Sequence, residues 1–410
     1  MFRKTVSDTL YWPWPGRSAW YDYSVMGIIA KFRALSDFQR IVLMNTLNGI
    51  GMGLVGIFIP IYLLGLDFSF FTVVLWLLIH HLTLLCGAFL TAAIARKIGL
   101  VRCWYIRTAL VALLFSGLVF LPQNHALIFA LAMVSGLESA FFWIPFNIFT
   151  VRKTEERTMG ASLAFMQNAS SFVGILIPGI AALLIVSYGY GVLFALAALF
   201  ILLSLVPVLA LHGESVSFEF SFPAIKKIVL DNKYFILPEI LDNLGQDAQV
   251  IWSLFIFITG LSILDIGALG VLVGIVGMAV THFTGQLIDR WNVRSLMRLG
   301  AVATTLLWFA SYIVAIYSPT QFLLYLVTVL RGLALGVFAS SYGTIMLNRA
   351  RTADIQFLLL REIPTIFGRV FVFVATLGLI ATGHAELTFL LVALLSVYFW
   401  FNNIEKLTSQ

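Results

Sequence analysis

The chain of 410 residues is 61% hydrophobic and 11% charged, with 25 Lys and Arg against 19 Asp and Glu and a net charge of +6. Soluble proteins carry about 25% charged and roughly 45–50% apolar residues, so a soluble domain is excluded. No basic stripe with interleaved aromatics stands apart from the loops, so the positive charge points to anionic headgroups and not to nucleic acid.

Residues 1–38 open the chain with Tyr11, Trp12, Trp14, Trp20, Tyr21 and Tyr23 but no continuous apolar core of a signal peptide. They read as a cytoplasmic segment with an interfacial helix over Val25–Leu35. A membrane helix needs about 20 apolar residues. Twelve such stretches follow: roughly 39–66, 70–95, 103–121, 125–150, 158–186, 190–211, 233–262, 266–288, 295–317, 320–347, 355–382 and 386–403. The first six form an N-terminal bundle over 39–211, a cytoplasmic linker covers 212–232, the last six form a C-terminal bundle over 233–403, and 404–410 is a cytoplasmic tail. The predicted fold class is an all-α membrane protein with twelve transmembrane helices in two pseudosymmetric six-helix bundles.

Lys and Arg cluster at Arg3–Arg40, Arg96–Arg107, Arg152–Arg157, Lys226–Lys233, Arg290–Arg298, Arg349–Arg361 and Lys406. The gaps near Asp67, Pro122, Tyr188, Leu264, Ser318 and Gly383 hold none. Cytoplasmic loops carry the basic excess, so both termini are expected in the cytoplasm, and the short loops fit a bacterial cytoplasmic (inner) membrane. Arg331 and Arg369 stand out as the two basic residues inside apolar stretches. Cys86 and Cys103 lack metal-ligand spacing and read as packing residues.

The two halves superpose at a nearly constant offset. Asn45 and Asn48 match Glu239 and Asp242, Arg96-Lys97 matches Asp289-Arg290, Gly136-Leu137 matches Gly332-Leu333, and Lys153 matches Arg349. Parallel repeats of this kind place a substrate near the bilayer midplane, between the halves. The loop between spans eight and nine, Gly285-Gln286-Leu287-Ile288-Asp289-Arg290-Trp291-Asn292-Val293-Arg294, resembles the G-x-L-x-D-R-x-G-x-R loop of the major facilitator superfamily. The earlier copy, Ala92-Ala93-Ile94-Ala95-Arg96-Lys97-Ile98-Gly99, is eroded, with Arg96 where the acid belongs. The resemblance implies a conformational latch at Asp289, Arg290 and Arg294, and alternating access between the two bundles.

An ionised side chain at a helix centre costs about 2.5–3.5 kcal/mol on insertion scales, so intramembrane charges should face the bundle interior. Span seven carries Glu239, Asp242, Asn243, Gln246, Asp247, Gln249 and Ser253 within one arc, and span one presents Asn45 and Asn48 on the matching face. His80 and His81 lie midway along span two, Trp143 lies on span four, and Gln167 shares a face of span five with Ser171, Gly174 and Pro178. These residues, with Arg331 and Arg369, are the candidates for the substrate cavity. Glu138, Asp242 and Asp247 are the candidates for proton coupling, because a desolvated carboxylate binds and releases protons. Arg331 and Arg369 are candidate anion clamps. The alternative pairs Arg369 with Glu362, seven residues earlier, and Arg331 with Glu138 or Asp247.

Gly51-Met52-Gly53-Leu54-Val55-Gly56 fits GxGxxG but lies in a membrane span with no strand before it, and no Walker A sequence is present. No nucleophile–base pair or metal-ligand set is visible, so an enzyme, a cofactor and a metal are not expected. The reading is a secondary transporter of a small molecule, driven by protons by symport, with an anion modestly favoured as substrate. It is expected to work as a monomer in the lipid bilayer. A uniporter, or a transporter-like sensor, scramblase or assembly protein, is the alternative.

Overall fold

The computed structural model describes residues 35–153, 174–211, 230, 233–288, 291–317, 319–350 and 355–401. Span one is α1 (Asp37–Val55) continued by α2 (Phe58–Gly65), and spans two to four are α3 (Phe70–Ile98), α4 (Leu100–Phe120) and α5 (Ile128–Lys153). The described part of span five is α6 (Ile177–Tyr188), and span six is α7 (Tyr190–Leu203) with a 3-10 turn at Val206–Ala210. The second half comprises α8 (Lys233–Ile258), α9 (Ile263–Ile288), α10 (Val293–Tyr317), α11 (Gln321–Ala350), α12 (Ile355–Ala381), α13 (Leu387–Ser396) and α14 (Tyr398–Phe401).

Local chemistry sets the helix ends. Ser36 and Gln39 form a capping box ahead of α1, and Ser69 caps α3 by accepting from the Thr72 amide. A single residue, Gly99 at φ 89°, turns α3 into α4, and Gly189 at φ 81° turns α6 into α7. These left-handed conformations suit glycine, which has no Cβ to clash. Among the described residues, nine helical stretches are long and apolar enough to cross a bilayer. α8, with the polar run Asp242, Asn243, Gln246, Asp247 and Gln249, is not in that set, although its 26 residues suffice by length.

Packing repeats between the halves. α5 packs on α3 and α4, as α11 packs on α9 and α10; α1 packs on α7, as α8 packs on α13. The halves meet through α3 against α12 and α6 against α9, two pairs that exchange when one half is superposed on the other. Small residues make the second contact close: a Cβ on Gly270 would lie 2.6 Å from Cβ of Pro178, and one on Gly267 would overlap Ala182. These residues lie toward the face opposite the one where α1 begins, the far face of the bundle. Nearer mid-membrane, Leu84 and Ala140 of the first half pack with Ile366 of the second. The result is an all-helical twelve-span fold whose described inter-half contacts run from the middle of the bundle to that far face.

Candidate functional site

Two buried polar clusters stand out, one within the first half and one centred in the second. In the first, Arg107 on α4 is 3% exposed. Its Nε donates to Oε2 of Glu138 on α5 at 3.1 Å, and its Nη2 donates to Oδ1 of Asn48 on α1 at 2.6 Å. Ser139 donates to the other carboxylate oxygen, Oε1 of Glu138, at 3.0 Å, and the guanidinium carbon lies 4.4 Å from the Phe142 ring centroid. Three helices are thus tied through one ion pair whose donors and acceptors are matched.

Arg107 corrects the sequence reading, which had counted it among the basic loop residues. It lies on the second turn of α4 and points inward. The signal was available: the third apolar stretch already enclosed position 107, and a basic residue inside a span needs an internal partner.

The second cluster centres on Asp247, midway along α8. Its Oδ2 lies 3.6 Å from Nε of Arg369 on α12 and 3.6 Å from Nε2 of His81 on α3. Nη2 of Arg369 also donates to Oδ1 of Asn243 at 3.4 Å. Nδ2 of Asn243 donates to the backbone carbonyl of Glu239 at 2.9 Å and to its Oε1 at 3.3 Å. Thr365 donates to Oε1 of Glu239 at 3.2 Å, and Tyr342 donates to Oε2 at 3.3 Å. α8, α11 and α12 are joined by this network. His81 enters it from the other half and also packs its ring 5.2 Å from Phe373. Glu239, Asn243, Thr365 and Tyr342 are structural members of the site; the polar arc of span seven announced Glu239 and Asn243, and Thr365 and Tyr342 carried no signal in the sequence.

The remaining candidates divide. Gln246 is exposed and donates to Oδ2 of Asp242 at 2.8 Å, on a face of α8 adjoining the Asp247 face. His80 bonds Ser135 through Nδ1 at 2.9 Å, its ring 4.7 Å from that of His81. Asn45 and Gln249 are half-buried, and Trp143 is 45% exposed against Phe142 and Phe146. Gln167, Asp289 and Arg290 lie outside the described residues, as does the side chain of Glu362. Arg294 lies in the first turn of α10, its amide donating to Oδ1 of Asn292 at 2.9 Å. Cys103 is buried, whereas Cys86 is exposed, so the packing role expected of Cys86 does not describe it.

Arg331 departs from the expected acid pairing. It pairs with neither Glu138 nor Asp247, which are held by Arg107 and by His81 and Arg369. Its guanidinium carbon sits 4.0 Å from the Trp308 centroid and 4.9 Å from that of Trp252, and Nη1 donates to Ser311 at 3.0 Å. Among the described residues no carboxylate lies within 4.0 Å of it. The rings that enclose it come from α8 and α10, and it is 1% exposed. Cation–π contacts in a desolvated setting are worth about 2 kcal/mol. Arg331→Met is therefore expected to lower stability by about 1–2 kcal/mol, a small effect for so buried a cation, and to leave uptake unchanged. Uptake lost from a well-folded Arg331→Met protein would return this residue to the transport path.

The Major Facilitator Superfamily sequence model matches residues 41–359. No curated protein matches the chain. Two crystal structures of the nucleoside transporter NupG share the fold. The structure of a NupG mutant has a TM-score of 0.65 at 16% identity, covering 91% of this chain and 100% of the other. The structure titled without a mutation has a TM-score of 0.63 at 15% identity, covering 92% and 100%. With the matched halves, the inter-half helix pairs and the family match over most of its length, the chain belongs to the major facilitator superfamily and is a multi-pass membrane transporter of a small molecule.

Proposed function

We propose that the chain is a proton-coupled secondary transporter of a small, uncharged polar molecule, with Asp247 as its coupling carboxylate. One observation carries this reading: Asp247 is the buried acid shared between the halves, touching Arg369 of its own half and His81 of the other. Alternating access must change that contact. Glu138 is bound to Arg107 within one half and travels with it, while Asp242 is engaged by Gln246 on a more exposed face. Neither is placed to sense the movement of the halves.

An uncharged substrate is favoured over an anion, because the deep arginines are occupied: Arg107 and Arg369 by carboxylates, Arg331 by indole rings. Nucleosides, the class named for NupG, are the first compounds to test. Asn45, Gln246, Gln249 and Trp143 offer amide donors, acceptors and an aromatic face suited to a base or sugar. The basic loops that alternate along the sequence support placing the face where α1 begins in the cytoplasm, with bundles over 39–211 and 233–403.

The test is uptake into proteoliposomes under an imposed pH gradient, with nucleosides and nucleoside monophosphates in parallel. Nucleoside accumulation should follow the gradient, collapse with a protonophore, and fall to background in Asp247→Asn. Accumulation indifferent to the gradient, or intact in Asp247→Asn, would overturn the proton coupling; preferential uptake of the monophosphates would overturn the uncharged substrate.

A further inference from the structure

We propose that one proton, held between Nε2 of His81 and Oδ2 of Asp247, is the bond that closes the far face of the protein across its two halves. This deepens the proton coupling proposed above and rests on it. The hydrogen-bond geometry of His81 carries the inference. Its Nδ1 lies 2.8 Å from the carbonyl oxygen of Leu77, one turn earlier on α3. A carbonyl oxygen only accepts, so Nδ1 carries the hydrogen. In a neutral ring Nε2 then presents a lone pair, and it faces Asp247 Oδ2 at 3.6 Å.

That carboxylate oxygen is buried and receives no hydrogen bond. Two acceptors facing each other repel. One added proton converts the contact to attraction, whether it is written as imidazolium with carboxylate or as imidazole with carboxylic acid. The backbone of α3 has thus fixed the tautomer in which the contact between halves lacks its hydrogen until a proton arrives from outside.

The surroundings make the contact responsive. His80 stands beside it on α3, and Arg369 approaches the same Oδ2 from α12 at 3.6 Å. On the helices behind α3, Glu138 and Arg107 are bound to each other, and Ser135 is bound to His80. The other inter-half contacts described above, at Gly267, Gly270, Leu84, Ala140 and Ile366, are apolar and indifferent to pH. A proton taken up from the far side while the halves are parted draws His81 and Asp247 together and closes that face. Its release from the closed state toward the opposite side leaves two facing acceptors, and the halves part again. No other species is needed, and charge balances as one proton bound per closure.

The experiment follows closure directly. In a cysteine-free background, Val271→Cys places a thiol at the α6–α9 contact, where a Cβ on Gly179 would come within 2.8 Å of Val271. Labelling of this thiol by a membrane-impermeant maleimide is compared between about pH 5 and about pH 8, across the ordinary imidazole range, with rates corrected for thiolate content on a free cysteine standard. The corrected rate should be about fivefold or more lower at the acid end, the low end of coupling between two sites. Asp247→Asn supplies a permanent N–H to the neutral Nε2, so its labelling should be slow at both pH values. His81→Gln, which supplies an N–H to the carboxylate, should likewise lose the pH response, whereas His80→Gln should retain it.

A corrected rate in the parent protein that does not change with pH would overturn the proposal, as would a response surviving in both Asp247→Asn and His81→Gln. The two readings fail separately. Gradient-driven uptake with pH-independent labelling removes the shared proton and keeps the coupling. Labelling with the expected pH response but no gradient-driven uptake keeps the proton-held contact and removes the coupling.

Discussion

Glu138→Gln is expected to destabilise the protein by about 3–5 kcal/mol, because it leaves Arg107 as an unpaired cation among α1, α4 and α5. The amide keeps the size of the side chain and an oxygen to accept from Nε of Arg107, so lost packing contributes little. The cost comes from charge. Ionised groups removed from water need opposite charge and full hydrogen bonding, and the partners that remain, Asn48 and the Phe142 ring, are neutral. The matched change Arg107→Gln should cost a similar amount by stranding the carboxylate. The double variant should recover much of the loss, since two neutral amides can still bond each other. Thermal unfolding of the four proteins in detergent closes the double-mutant cycle. Additive losses, or a Glu138→Gln protein that melts with the parent, would show that the pair does not hold these helices.

Gly267→Leu is expected to act on the balance of conformations more than on folding. The Gly267 Cα faces Ala182 and the Pro178 carbonyl oxygen, which a Cβ would approach to 2.9 Å. A leucine there adds four carbons to a closed contact between α6 and α9. Overpacking of this kind costs about 1–3 kcal/mol, borne only while the far face is closed. Since about 1.4 kcal/mol is tenfold in an equilibrium, the closed-to-open ratio should fall between about fivefold and about 150-fold. Uptake should fall in step while the melting temperature changes little. Labelling of the thiol at Val271→Cys should accelerate as the open fraction rises. Uptake at the parent rate would mean that this contact does not gate the cycle. Faster labelling with normal uptake would mean that opening here is not limiting.

Both expectations depend on partners that lie far apart in the chain. The twelve spans and the repeat could be read from the residues because the bilayer constrains each segment alone: its core accepts apolar helices and little else. The polar face of α8 was legible for the same reason, since polar groups recurring on one face of a membrane helix must turn inward.

Partners were a different matter. Arg369 has Glu362 near it in sequence, yet its described carboxylate contact is Asp247 on α8. Arg331 was expected to need an acid, and two indole rings and a serine hydroxyl surround it. Arg107 was read as a loop residue, but Glu138, 31 positions away, holds it in the bundle.

Class, span count and repeat were therefore settled by the sequence itself, because hydropathy and charge act on every segment independently of its neighbours. Which acid meets which base, and that His81 reaches Asp247 across the halves, was decided by the tertiary structure alone. Those contacts depend on how each helix is rotated about its axis and how far it slides along its neighbours. Both are set by close packing of small residues such as Gly136 against the His80 backbone and Gly368 against Ile240. No single segment contains that information, because it arises only when two helices meet.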